Sequence, residues 1–181
     1  MTDTDIEYQC LTGDAAAVVL TDEYVRLYLE NYAEPPYLSG PLYSRERFLE
    51  RTAQQVKSDG FTLVSARSGA QLVGFSFGFT FPAGRWWGGE AKRPLPEVVA
   101  APTFAVIELD VHRDYRRRGI GRLLLEMLLA HQDARYATLL SDPDAAAHAM
   151  YQRWGWKLIG TVRSAPDARA NDALLLELDG Q

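Results

Sequence analysis

The chain has 181 residues, of which 47% are hydrophobic and 24% charged, and its formal net charge is −5. That length suits one domain with a sizeable buried core, and the acidic balance argues against nonspecific binding to nucleic acid. The polar, acidic opening MTDTDIEYQ is unlike a targeting peptide and no apolar run reaches membrane-spanning length, so the expectation is a cytoplasmic protein with no membrane partner.

Residues 6–11 read as a first strand. It carries Cys10, the single cysteine, which excludes an internal disulfide and is read as a small strand residue rather than a nucleophile. Residues 15–33 are mainly helical, with Thr21 or Asp22 placed to cap a second segment. Tyr24, Tyr28 and Tyr32 recur at helical spacing, and packing accounts for at least two of them. Glu34, Pro35, Pro36 and Tyr37 break the helix, because proline lacks a donor and restricts the residue before it. Ser44 then caps a helix running to about Lys57, with Phe48, Leu49, Thr52 and Val56 on its apolar face. Residues 61–66 and 71–81 form a hairpin turned by Ser68, Gly69 and Ala70. In its second strand Val73, Phe75, Phe77 and Phe79 alternate with Gly74, Ser76 and Gly78, which implies close packing against the glycine face. The long connection 82–103 carries Trp86 and Trp87. Either one indole is buried while the other reaches a ligand or a second subunit, or the pair plugs the core.

Residues 104–111 are apolar or β-branched at most positions, as a largely buried strand requires. From Ile120 a helix follows, with Leu123, Leu124, Met127, Leu128 and His131 at helical spacing. Between them, Arg113, Arg116, Arg117, Arg118 and Arg122 face only Asp114, and Gly119 and Gly121 let a ligand approach the backbone. Unpaired N–H groups and the positive dipole end of the helix complete a place to hold phosphate. A dinucleotide fingerprint would need glycine where Leu124 stands, and a P-loop would need Gly-Lys-Ser/Thr. Residues 136–141 form another strand. Asp142 and Pro143 start a helix over 144–154 that Gly155 closes, and 157–162 and 173–178 are the last strands. His112, His131 and His148 lack partners at metal-ligand spacing, so no metal is expected.

Arg116, Gly119 and Gly121, set between strand and helix, resemble the Gln/Arg-x-x-Gly-x-Gly/Ala acetyl-CoA motif of the GNAT superfamily of N-acetyltransferases. A second block, 144–156, resembles the family's Asn-x-x-Ala-x-x-Leu-Tyr-x-x-x-Gly-Phe, with Ala147, Tyr151 and Gly155 in register. It departs at Met150, at Trp156 and at Asp144, whose carboxylate accepts but cannot donate a hydrogen bond. The order β-α-α-β-β-β-α-β-α-β-β is also that of the family. The resemblance implies an α/β fold with a mixed, splayed central sheet flanked by helices on both faces. It implies a single domain over 1–181, with an acetyl-CoA-binding core at 104–156.

It further implies acetyl-CoA as acyl donor, with no metal. The pantetheine arm would meet Leu109, Asp110 and Val111, and the phosphates would meet Arg116, Arg117, Arg118, Gly119, Ile120 and Gly121, with Asp144 and Tyr151 also on the cofactor. Tyr32, Glu34, Tyr37 and Tyr43 border the acceptor pocket by the same resemblance. An alkylammonium with a pKa near ~10.4 is almost wholly charged at neutral pH, so an amine acceptor needs a base. Glu108 is the family's position for it, and Asp110 is second. Tyr151 is the family's general acid toward the departing thiolate. The implied activity is direct acetyl transfer to a primary amine, of a small molecule or a peptide, in a ternary complex. The alternative is a non-catalytic acyl-CoA-binding or regulatory module, in which Tyr151 only packs and the two acids form ion pairs. A homodimer through the tryptophan loop or the edge of a late strand is a further expectation.

Overall fold

Strand β1 (Ile6–Thr12) lies near the start of residues 5–178, the part of the chain that the computed structural model describes. It pairs antiparallel with β2 (Thr62–Ser68), which pairs antiparallel with β3 (Gln71–Phe81). A 3-10 segment (Gly13–Leu20) and helix α1 (Asp22–Tyr32) follow β1. The expected helical stretch is thus split at Thr21, whose hydroxyl donates back to Val18 O at 2.7 Å and does not cap α1. Helix α2 (Arg45–Gln55) starts where Ser44 Oγ accepts from Arg47 N at 3.3 Å, the expected cap. The connection after β3 contains the two-residue strand β4 (Glu90–Ala91) and one helical turn, α3 (Pro96–Val99), before β5 (Thr103–Val111). Helix α4 (Ile120–Leu129), β6 (Tyr136–Ser141), α5 (Ala146–Arg153), β7 (Lys157–Arg163) and β8 (Asn171–Glu177) complete the order.

The chain divides into two compact units. The first comprises the described residues through Phe79 together with Ile107–Gln132. Its strands run in the order β1-β2-β3-β5. Alternation along β3 decides what packs on each face. Phe75 turns to α1, where its ring lies 5.3 Å from that of Tyr24. Gly74 turns to α4: a Cβ there would stand 3.0 Å from Leu124 Cδ1, 3.1 Å from the Asp110 carbonyl oxygen and 3.4 Å from Ile120 Cγ2. The close approach that the glycines imply is therefore that of α4. Tyr24 and Tyr28 are buried core residues, as the packing reading requires.

The second unit comprises Thr80–Val106 and the described chain from Asp133 onward. Here the start of β5 pairs parallel with β6, the ladder ending at Val106 opposite Leu139. Strands β6, β8, β7 and β4 follow in antiparallel pairs. Trp86 is buried in a cluster with Val98, Tyr136, Val162 and Ala173. Trp87 packs against the same cluster and donates from Nε1 to Thr138 Oγ1 at 3.1 Å. Both indoles thus serve as a plug over this core. Helix α5 starts two residues later than expected, because Asp142 Oδ1 accepts from Asp144 N at 2.9 Å and closes a turn there. The fold is the expected α/β type, an open mixed sheet with helices packed on it.

Candidate active site

The last residues of β5 alternate in burial, so that Glu108 and Asp110 share the buried face while Ile107, Leu109 and Val111 do not. The end of α1 delivers one partner to each acid. Tyr32 Oη donates to Glu108 Oε2 at 2.8 Å, and Asn31 Nδ2 donates to Asp110 Oδ1 at 2.9 Å. Helix α2 adds Arg51, whose Nη2 lies 3.9 Å from Glu108 Oε1 and donates to Tyr28 Oη at 3.1 Å. From the neighbouring strand β3, Ser76 Oγ donates to the Glu108 carbonyl at 2.7 Å and fixes the backbone there. Burial pushes the Glu108 carboxyl up to about 7, against the opposing pull of Arg51 and of the Tyr32 hydrogen bond. Asp110 is pushed well above the carboxylate range by burial and then by its acidic neighbour. The Tyr32 phenol is raised in the same way, first by burial and then by the Glu108 and Asp110 charges.

Tyr32 is also the hub of an aromatic cluster with Tyr37 and Tyr43. Its ring lies 4.5 Å from Tyr43, stacked, and 4.6 Å from Tyr37. Glu34 turns the other way, toward the arginine loop. Arg116 Nη1 donates to Glu34 Oε2 at 2.7 Å, Arg113 Nη2 lies 3.3 Å from Glu34 Oε1, and Arg116 Nε donates to Val111 O at 3.0 Å. The Arg116 hydrogen bond holds the Glu34 carboxyl below its usual range. Two residues expected on different ligands, Glu34 and Arg116, are thus bonded to each other.

The turn after β5 supplies a backbone cradle. Arg117 takes φ 61° and Gly119 φ 80° just before α4, and a Cβ on Gly119 would meet nothing within 4 Å. Gly119, Ile120, Gly121 and Arg122 present N–H groups that the helix leaves unpaired. Arg117 is exposed, and Arg118 lies over the Tyr115 ring at 5.0 Å and donates to Asp114 O. The chemistry fits an anion: donors, a dipole end and cations, with open space at the glycine.

In the second unit, Tyr151 is buried on α5 with Trp154 and Trp156 at 6.0 and 6.1 Å from its ring. Asp144 is ion-paired with Arg169, which also lies 3.0 Å from Asp142 Oδ2. Gly155 takes φ 94° at the expected helix end.

The model of the acetyltransferase (GNAT) family matches residues 21–156. The chain belongs to the GNAT family of acetyltransferases. No curated sequence matches it. Among solved structures, the PaiA N-acetyltransferase from Thermoplasma acidophilum in complex with coenzyme A is 14% identical, with a TM-score of 0.64 over 96% of this chain and 99% of that one. The NatC complex bound to Gag peptide and CoA gives 15% identity and a TM-score of 0.60, covering 97% of this chain and 99% of that one. An aminoglycoside N-acetyltransferase in complex with CoA gives 12% and 0.57, covering 88% and 92%. At such identities the likeness is one of fold.

For a GNAT acetyltransferase, the residues that sequence reasoning passed over are Asn31 and Arg51, which touch the acids, while Tyr28, read as packing, also accepts from Arg51. Arg51 had a signal: it follows Phe48 by one helical turn, a cation on an otherwise apolar face. Asn31 had none, since only the tertiary fold brings α1 to β5. Among the described residues no group of acidic, histidine or cysteine side chains is placed to hold a metal, and no helix is long and apolar enough to cross a membrane.

Proposed function

We propose that this GNAT protein is a cytoplasmic N-acetyltransferase that moves an acetyl group from acetyl-CoA to a primary amine by direct transfer in a ternary complex. The observation that carries the reading is Glu108: a buried carboxyl raised to about 7, on the strand that runs directly into the phosphate cradle. A group with that affinity can take the proton an ammonium must lose at neutral pH, and Arg51 and Tyr32 favour its ionised form. Bound acetyl-CoA supplies an activated thioester and a thiolate leaving group. The cradle from Arg117 through Gly121 would hold its phosphates, with Arg118 in reach, while Leu109, Asp110 and Val111 would offer backbone groups to its arm. The motif assigns Asp144 to the same ligand, although its ion pair with Arg169 gives that carboxylate another task. Tyr151 is the proton donor to the thiolate sulfur, on its motif position. Glu108 would take one proton as the ammonium becomes the attacking amine, and the second proton that nitrogen loses on forming the amide would replace the one Tyr151 gives to the departing sulfur.

The acceptor would lie against Tyr32, Tyr37 and Tyr43, a cluster of rings beside two acids, which suits a cationic amine. Glu34 would act there through its hold on Arg116. The test is thiol release from acetyl-CoA with a broad amine panel, comparing wild type, Glu108→Gln and Tyr151→Phe. Turnover that falls in both variants supports the reading; CoA binding with no turnover of any amine would turn it toward a binding module.

A further inference from the structure

The Asp110 side chain is 3% exposed, and only one of its oxygens is held. Oδ1 accepts from Asn31, whereas Oδ2 has no hydrogen-bond partner among the described residues. The orientation of the Asn31 amide is chemically fixed. Arginine can only donate, so the atom meeting Arg116 Nη2 is the Asn31 oxygen, and the amide nitrogen is left for Asp110. Arg116 is held in turn by Val111 O and both Glu34 oxygens, so this relay has little freedom. Because the Asn31 nitrogen only donates, Oδ1 accepts; the carbonyl oxygen of a carboxylic acid is the better acceptor, so this bond favours placing a proton of Asp110 on Oδ2.

The surroundings keep that proton in place. Glu108 shares the face of β5, α1 presents Tyr28 and Tyr32, and α2 presents Arg51, which is ion-paired to Glu108. Arg116, the other cation nearby, is bonded to Glu34. A buried carboxyl with one neutral donor and an acid for a neighbour stays protonated, and the direction of its shift agrees. The result is a buried O–H with no acceptor on the described chain. In a native protein such a donor is met by ligand or ordered water.

We propose, building on the amine acetyltransferase reading, that Asp110 is a specificity-determining residue whose Oδ2–H donates to an oxygen atom of the acceptor, and that Asn31, locked by Arg116, is the positioning residue that places that proton. The acceptor is then an amine with a hydroxyl or carbonyl oxygen close to its nitrogen. It lies on the side of β5 that faces α1, where Asn31 leads into the tyrosine loop. Asp110 is thereby a donor and not a second base.

The proton is tested without turnover, by NMR titration of protein carrying carboxyl-¹³C aspartate, with Asp110→Asn assigning the resonance. Asp110 is expected to be protonated at pH 7. Asn31→Ala, which removes a donor that favours the carboxylate, is expected to move the titration further up; a merely space-filling Asn31 would admit water and move it down. An ionised Asp110 at pH 7, or a downward move, overturns the proposal. The ligand is tested by kcat/KM for ethanolamine against n-propylamine, which differ by a hydroxyl in place of a methyl. Wild type is expected to favour ethanolamine by about tenfold. Asp110→Asn keeps that preference, because an amide N–H replaces the Oδ2–H, and Asp110→Ala loses it. No preference in wild type, turnover of neither amine, a preference intact in Asp110→Ala, or loss of both amines in Asp110→Asn overturns it. If no amine of a broad panel is acetylated the transferase reading itself fails, and the NMR result still decides the state of Asp110.

Discussion

Glu108 owes its chemistry to burial and to two neighbours that oppose it. Burial raises its proton affinity, while Arg51 and the Tyr32 hydroxyl favour the charge. If it is the base, kcat/KM should rise with pH through an acid limb near 7 and then level off. Glu108→Gln should remove the limb and cost about 100-fold or more in kcat/KM. Tyr32→Phe makes a sharper test. Its hydroxyl donates to the carboxylate and stabilises the ionised form, so its loss should move the limb to higher pH while leaving turnover measurable. A limb that stays in place in Tyr32→Phe would show that another group titrates.

Glycines set the spacing of elements around this residue pair. At Gly74 the neighbours of an added Cβ are a leucine on α4 and the carbonyl oxygen of Asp110 itself. Backbone cannot give way as a flexible side chain does. Gly74→Ala should therefore destabilise by about 1–3 kcal/mol in urea titration, through overpacking between β3 and α4, and should disturb the acid pair. Gly119→Ala is a different case. Its Cβ would meet open space, but its φ of 80° is one that alanine disfavours, so a penalty of about 1 kcal/mol with no clash is expected. Its amine selectivity should be that of wild type, whereas that of Gly74→Ala should not. Comparing the two separates strain in the cradle from displacement of β5.

For the whole molecule, the buried acids tie stability to pH. Glu108 is raised from its ordinary 4.5 to about 7, so the folded state binds its proton more tightly than the unfolded chain does. Its contribution is fully present below about pH 4.5 and is lost as pH rises through about 7. Asp110 shifts in the same direction. Wild type should then lose more in Tm between pH 5 and pH 8 than Glu108→Gln does, measured by thermal denaturation. Equal losses in the two proteins would mean that Glu108 is not the raised group.

The sequence alone determined the longer strands, though not the two-residue β4, together with most helix ends and the family. Those depend on local periodicity, on Ser44 as a cap, on glycine at positive φ, and on the Arg116, Gly119 and Gly121 spacing. Local signals were weaker where side chains compete for the backbone. Thr21 bonds backward to Val18, and Asp142 closes a turn that delays α5, so neither is the helix cap that its residue type suggests. What only the tertiary structure decided is the electrostatics of the site. Asn31, Tyr32 and Arg51 lie far from Glu108 and Asp110 along the chain, and no local pattern records which acid each will meet. Proton affinity depends on burial and on distances of a few ångströms between such groups. Those distances exist only once the helices have packed against β5, which is why the sequence could nominate both acids but could not give them different roles.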